Sequence, residues 1–222
     1  MTSDGNAPSA DHLWLLDIQR ELNSAAEVLE ALAPGITLFG SARATLDDRH
    51  YQFAERLGQW LARAELPVVT GGGPGIMEAA NRGAYEAGGV SVGLNIQLPY
   101  DETPNPYLTH QLHFLNFATR KLMLTRYASG FVVFPGGFGT VDELMELLVA
   151  FHIDDALRRP MALIDSGFWR DLVKWFHDEL AARELIDADR IDFIRVVDDE
   201  HAALEVLLGQ HQAADLKRQH GD

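Results

Sequence analysis

Hydrophobic positions along the chain recur with two periods. Leu15, Ile18, Leu22, Ala25, Leu29 and Leu32 return every three or four residues, which predicts an amphipathic helix ending at Pro34-Gly35. Beyond it come short apolar runs: Ile36–Phe39, Val68-Val69, Val90–Ile96, Phe131–Phe134, Met161–Ile164 and Ile194–Val197. Runs so short and so little broken by polar residues suit strands buried on both faces. Helical spacing fills stretches between them, at about 49–65, 75–88, 117–129, 139–156 and 168–183, with a last helix at about 199–210. Such alternation predicts an α/β fold: a doubly wound parallel sheet with helices on both faces, three layers in all, plus an extra N-terminal helix. Residues 97–113 are too rich in proline for a helix and read as a long excursion with room for a short strand at Leu112–Phe114. Residues 1–9 are expected to be a disordered N-terminus, 10–210 a single domain and 211–222 a polar tail.

Charge narrows the partners. The 222 residues carry 18 basic and 33 acidic side chains, a net charge of −15. Such a surface repels nucleic acids and anionic membranes. With no cysteine there are no disulfides or thiolate nucleophiles. No apolar run approaches the roughly 20 residues that span a bilayer, so the chain reads as soluble and cytoplasmic. None of this excludes a small anion held in a locally electropositive pocket.

Three predicted strand ends offer such a pocket. They are Gly40-Ser41-Ala42, then Thr70-Gly71-Gly72-Gly73-Pro74-Gly75, then Pro135-Gly136-Gly137-Phe138-Gly139-Thr140. The two longer loops each feed a helix, whose first N–H groups and partial positive charge suit a phosphate. Glycine also marks any tight turn, but three such loops at one sheet edge favour phosphate or nucleotide binding. The usual fingerprints fail. No G-x-x-x-x-G-K-[ST] is present, and the third position of G-x-G-x-x-G falls on Glu78 in one loop and Asp142 in the other.

Candidate chemistry gathers beside those loops. Thr140-Val141-Asp142-Glu143 has the T-x-x-E spacing of a capping box, so Glu143 can be read as a cap or as an acid facing a bound phosphate. Arg120-Lys121, early in another predicted helix, reads as a solvated pair or as a cation turned into a cleft; spacing does not choose. His110-x-x-His113 lies in the excursion with no third ligand at a recognisable spacing, so no metal is expected. Trp169, Trp175 and Phe176 read as core or subunit interface. Tyr100 and Tyr107 are weaker candidates for contact with a base.

The stretches Gly71–Ala84, Arg120-Lys121 and Pro135–Glu143, in that order, closely resemble the LOG ("Lonely guy") family, whose members are often labelled lysine decarboxylases. The resemblance covers roughly residues 35–200 and includes the complete P-G-G-x-G-T-x-x-E element. It implies a Rossmann-like nucleotide-binding catalytic domain, no cofactor and a homodimer or a higher homo-oligomer. The implied activity is hydrolysis of the N-glycosidic bond of AMP or N6-prenylated AMP (a cytokinin riboside 5′-monophosphate), giving free base and ribose 5-phosphate. Arg120 and Glu143 would be the catalytic pair. Gly136, Gly137, Gly139 and Thr140 would hold the 5′-phosphate, assisted by Ser41, Gly72, Gly73 and Gly75, with Lys121 and Glu78 lining the site. Decarboxylation through pyridoxal phosphate needs a lysine, and only Lys121, Lys174 and Lys217 exist. The alternative is a non-catalytic nucleotide or molybdenum-cofactor carrier of the same fold.

Overall fold

In the computed structural model, residues 10–97, 103–209, 212, 213 and 216 are described. The expected disordered start and Tyr100 lie outside them, as do Lys217 and most of the polar tail. Helix α1 (Ala10–Glu30) leads into β1 (Gly35–Phe39), α2 (Arg49–Arg63), β2 (Val68–Thr70), α3 (Ile76–Glu86), β3 (Ser91–Ile96) and β4 (His110–Phe114). Then follow α4 (Phe117–Arg126), β5 (Ala128–Val133), α5 (Phe138–Ile153), β6 (Met161–Ile164), α6 (Ser166–Trp175), β7 (Arg195–Val197) and α7 (Glu200–Leu208). The strands form one seven-stranded sheet, ordered β4-β3-β2-β1-β5-β6-β7, and every pair is parallel.

Both faces of the sheet are covered, as continuous apolar strands require. On one face, Phe39, Leu94 and Phe131 pack with Ala25 and Leu29 of α1, Met123 and Leu124 of α4, Leu147 of α5 and Trp169 of α6. On the other, Leu38, Val68 and Val132 pack with Leu57 of α2, Ala80 of α3 and Leu204 of α7. The latter layer is tight: a Cβ on Gly58 would fall 2.3 Å from the Ala80 carbonyl oxygen, and one on Gly83 only 1.9 Å from that of Glu55. Glycine therefore sets how closely α2 and α3 approach.

Three expectations change. The edge strand starts at His110, whose backbone pairs with Val92, so His110 and His113 sit in β4 rather than in irregular chain. Helix α5 starts at Phe138 with Gly137 as its N-cap and no side-chain capping bond, so Thr140 lies inside the first turn and the T-x-x-E cap is not formed. Helix α6 is α-helical only to Trp175 and continues as a π-helical segment, Phe176–Ala181. Trp169 and Phe176 are buried, and Trp175 is half-exposed.

The strand order runs outward from β1 on one side and from β5 on the other. Between them lies the switch point, where loops at the carboxyl ends of the strands part and leave a crevice.

Candidate active site

The crevice is a cleft of about 800 Å³. Its wall is built from the β1 loop (Gly40, Ser41), the β2 loop (Gly71, Gly73), the end of β3 (Asn95), Arg120 of α4, and Gly137, Phe138, Gly139, Thr140 and Glu143 of α5.

Hydrogen bonds lock the loops together before any ligand is considered. The Ser41 N–H donates to the Pro135 carbonyl (3.1 Å) and the Ile76 N–H to the Ser41 carbonyl (3.0 Å), joining all three loops. Beneath the β2 loop is a buried polar network. The Thr70 hydroxyl donates to Asn81 Oδ1 (2.5 Å), Asn105 Nδ2 also donates to it (3.0 Å), and Asn81 Nδ2 donates to Ser91 Oγ (2.9 Å). Asn105 then holds the loop itself, through its N–H to the Gly72 carbonyl (2.9 Å) and Nδ2 to the Gly73 carbonyl (3.0 Å). Gly72, at φ +72°, adopts a backbone that side chains disfavour.

At the mouth, the glycines at 137 and 139 are of a different kind. A Cβ at either would meet nothing within 4 Å, so these glycines leave room for something outside the chain. The first intrahelical bond of α5 runs from Val141 N–H to the Gly137 carbonyl (3.1 Å). The N–H groups of Phe138, Gly139 and Thr140 precede it, at the positive end of a 16-residue helix. Free N–H groups so placed can accept an anion. Gly136, in contrast, is needed for internal packing: a Cβ there would lie 2.2 Å from Thr140 Oγ1.

Arg120 enters from α4. Its Nε donates to the Leu94 carbonyl (2.7 Å), and its guanidinium lies so close over Gly71 that a Cβ there would be 2.1 Å away. Glu143, one turn into α5, faces the same cleft. Burial pushes its carboxyl up to about 7, against the pull of Arg120 and Lys121 and with help from Asp142 and Glu146. A carboxyl that exchanges its proton near neutrality, beside a fixed cation and an anion cradle, is equipped for acid–base work.

Of the residues expected at the site, Ser41, Gly73, Arg120, Gly137, Gly139, Thr140 and Glu143 converge on the cleft. The others do not line it. Glu78 accepts the Tyr51 hydroxyl (2.9 Å) and is turned toward α2. Lys121 points to α5, bridging Asp142 (2.5 Å) and Glu146 (3.0 Å) behind Glu143. Gly72 spends its N–H on Thr70 Oγ1 (2.9 Å), and Gly75 is pressed against the Ser41 carbonyl. Gly136 packs on Thr140, as described. Tyr107 packs edge-on against Tyr85 of α3, away from the cleft. Among the described residues, no group of three or more His, Asp or Glu is placed to hold a metal.

The wall also includes Phe138 and Asn95, neither of which was among the expected site residues. Phe138 is 95% exposed at the mouth. Asn95 is buried, with no partner for Oδ1, and its amide lies against Gly72. Its one sequence signal is to be, with Ser91, a polar residue in the otherwise apolar run Val90–Ile96.

A family model described as "Possible lysine decarboxylase" matches residues 77–207, more than half of the chain. Proteins sharing this region include a cytokinin riboside 5′-monophosphate phosphoribohydrolase from Rhodococcoides fascians, 28% identical over 173 residues, covering 75% of this chain and 86% of that enzyme. The chain belongs to the LOG family. A pyrimidine/purine nucleotide 5′-monophosphate nucleosidase from Escherichia coli (strain K12) is 32% identical over 112 residues, covering 47% of this chain. The aligned region is only 25% of that longer protein. These relatives place the chain in a nucleosidase and phosphoribohydrolase family of hydrolases acting on glycosidic bonds. In fold, the chain is similar to a molybdenum cofactor binding protein from Rippkaea orientalis, with a TM-score of 0.57 and 20% identity over 78% of this chain and 94% of that one.

The decarboxylase description of the family model finds no suitable lysine among the described residues. Burial works to lower the Lys121 ammonium, but Asp142 and Glu146 outweigh it and hold the charge above its ordinary range. Lys174 is exposed and paired with Asp178. A Schiff base needs a neutral amine.

Proposed function

We propose that the protein is a nucleoside 5′-monophosphate phosphoribohydrolase. It hydrolyses the N-glycosidic bond of AMP or N6-prenylated AMP to free base and ribose 5-phosphate. The observation that carries this reading is the placement of Glu143 in one cleft with Arg120 and an open glycine cradle at the start of α5.

In this reading the 5′-phosphate sits on the N–H groups of Phe138, Gly139 and Thr140, with the Ser41 hydroxyl beside it. As the C1′–N bond breaks, its electron pair leaves with the base and positive charge develops on the ribose ring. The Glu143 carboxylate stabilises that charge and takes a proton from the water whose oxygen bonds to C1′. The departing base nitrogen takes its proton from solvent water and Glu143 returns the one it received to solvent, so one water is consumed for each bond broken. Arg120 stays protonated and cannot act as the acid. It orients Glu143 and the sugar by charge-assisted bonds, anchored by Leu94.

The test is incubation with AMP, GMP, CMP and prenylated AMP, followed by chromatography for free base and ribose 5-phosphate. Glu143→Gln is expected to lower the rate roughly 10²–10⁴-fold while nucleotide binding survives. Binding of nucleotide by the unaltered protein without release of base would instead make it a carrier of the same fold.

A further inference from the structure

Helix α1 lies outside the residues matched by the family model, yet it reaches the cleft's machinery through α4. Helix α4 begins with a residue type suited to capping, Asn116, but that side chain makes no cap bond to its own helix. Helix α1 has taken it. Trp14 Nε1 donates to Asn116 Oδ1 (3.0 Å), and Asn116 Nδ2 donates to the Glu21 carboxylate (3.2 Å to Oε1).

Glu21 also grips the chain on either side of Asn116. Its Oε1 accepts the Leu115 N–H (2.7 Å), and its Oε2 accepts the Thr119 hydroxyl (2.5 Å). A carboxylate at this position also opposes the positive end of the α4 dipole. The clamp holds residues 115, 116 and 119. The next residue is Arg120, whose N–H donates to the Asn116 carbonyl (3.2 Å) as the first turn closes. The far end of the Arg120 side chain is fixed on Leu94, so its guanidinium depends on where α4 begins. Below the clamp, Ala25 and Leu29 of α1 pack into the same core cluster as Met123 and Leu124 of α4.

We infer that Glu21 is a positioning residue for the reaction: the N-terminal helix clamps the chain where α4 begins and thereby fixes Arg120 against Gly71 and Leu94. The inference rests on the phosphoribohydrolase reading of the cleft. A displacement of about 1 Å in a catalytic group can cost about 10²-fold, so a released clamp has room to act on rate without unfolding the protein.

The experiment compares wild type, Glu21→Ala, Glu21→Gln, Arg120→Ala and the Glu21→Ala/Arg120→Ala double variant, each first checked for a folded melting transition. Glu21→Ala is expected to lower kcat about 10-fold or more, with KM for AMP changed less than about threefold. Glu21→Gln, which can still accept the Leu115 N–H, is expected to recover most of the rate. In the Arg120→Ala background, Glu21→Ala is expected to cost little more, because its effect passes through that arginine. An unchanged kcat in Glu21→Ala, or an equal further loss with and without Arg120, overturns the inference. Should wild type hydrolyse no nucleotide, the functional reading fails by itself. The clamp is then read by hydrogen exchange at the Leu115 and Arg120 amides: faster exchange in Glu21→Ala supports it, and unchanged exchange overturns it.

Discussion

Burial pushes the Glu143 carboxyl up to about 7, and the same shift has one consequence for chemistry and another for stability. A carboxylate that stabilises a cationic sugar must be ionised, so kcat/KM for AMP is expected to fall as pH drops below about 7. A profile flat down to about pH 5.5 would detach Glu143 from the reaction. For stability, the folded carboxyl holds its proton more tightly than the unfolded one, whose ordinary value is 4.5. The protonated side chain's contribution is therefore fully present below 4.5 and is lost as pH rises through about 7. Glu143→Gln removes that penalty. At about pH 8 the variant is expected to be the more stable by on the order of 2 kcal/mol, less than the full shift implies because the cleft is open to water. The gain should vanish in melts at about pH 4.5. Gly71 offers a second test at this scale. Gly71→Ala puts a methyl group where the Arg120 guanidinium lies, 2.1 Å away, and is expected to cut activity at least about 10-fold with the fold intact.

At the scale of the element, the α2–α3 contact carries a stability prediction. Gly83→Ala sets a Cβ 1.9 Å from the Glu55 carbonyl oxygen, which is backbone and cannot rotate aside. The helices must separate, and a loss of about 1–3 kcal/mol in denaturant unfolding is expected. The sequence shows the α2 and α3 helices but not this contact, because a glycine in a helix reads first as a weak point. Much of the architecture was legible for a simple reason: strands buried on both faces are uninterrupted apolar runs, and the helices between them keep an apolar stripe. The site was legible only in part. Arg120 and Lys121 are neighbours on α4, about 100° apart around its axis, so one can enter the cleft while the other turns to α5. Nothing in the pair of letters says which. The direction of Glu78 is hidden for the same reason, since its partner Tyr51 comes from a helix 27 positions away. The capping reading of Glu143 requires Thr140 as the N-cap, and the helix takes Gly137 instead, three residues earlier.

For the whole molecule, the distribution of apolar surface bears on assembly. Leu115, Phe117 and Leu122 at and on α4, and Val149 and Ile153 on α5, are all between 44% and 77% exposed, while Phe138 projects from the cleft mouth. On a chain of net charge −15, like-charge repulsion opposes association, and exposed apolar side chains such as these are what can offset it. A homodimer formed through α4 and α5 would cover these side chains and bring two clefts close to the interface. The 24.6 kDa chain is accordingly expected to sediment at about twice its mass. Ile153→Asp, a buried charge at such an interface but a harmless surface change on a monomer, is expected to shift the protein to single chains in analytical ultracentrifugation. If Ile153→Asp leaves the sedimenting mass unchanged, α5 is not the contact. If wild type already sediments as single chains, Phe117 and Phe138, which line the cleft, are left to cover a bound nucleotide rather than a second copy.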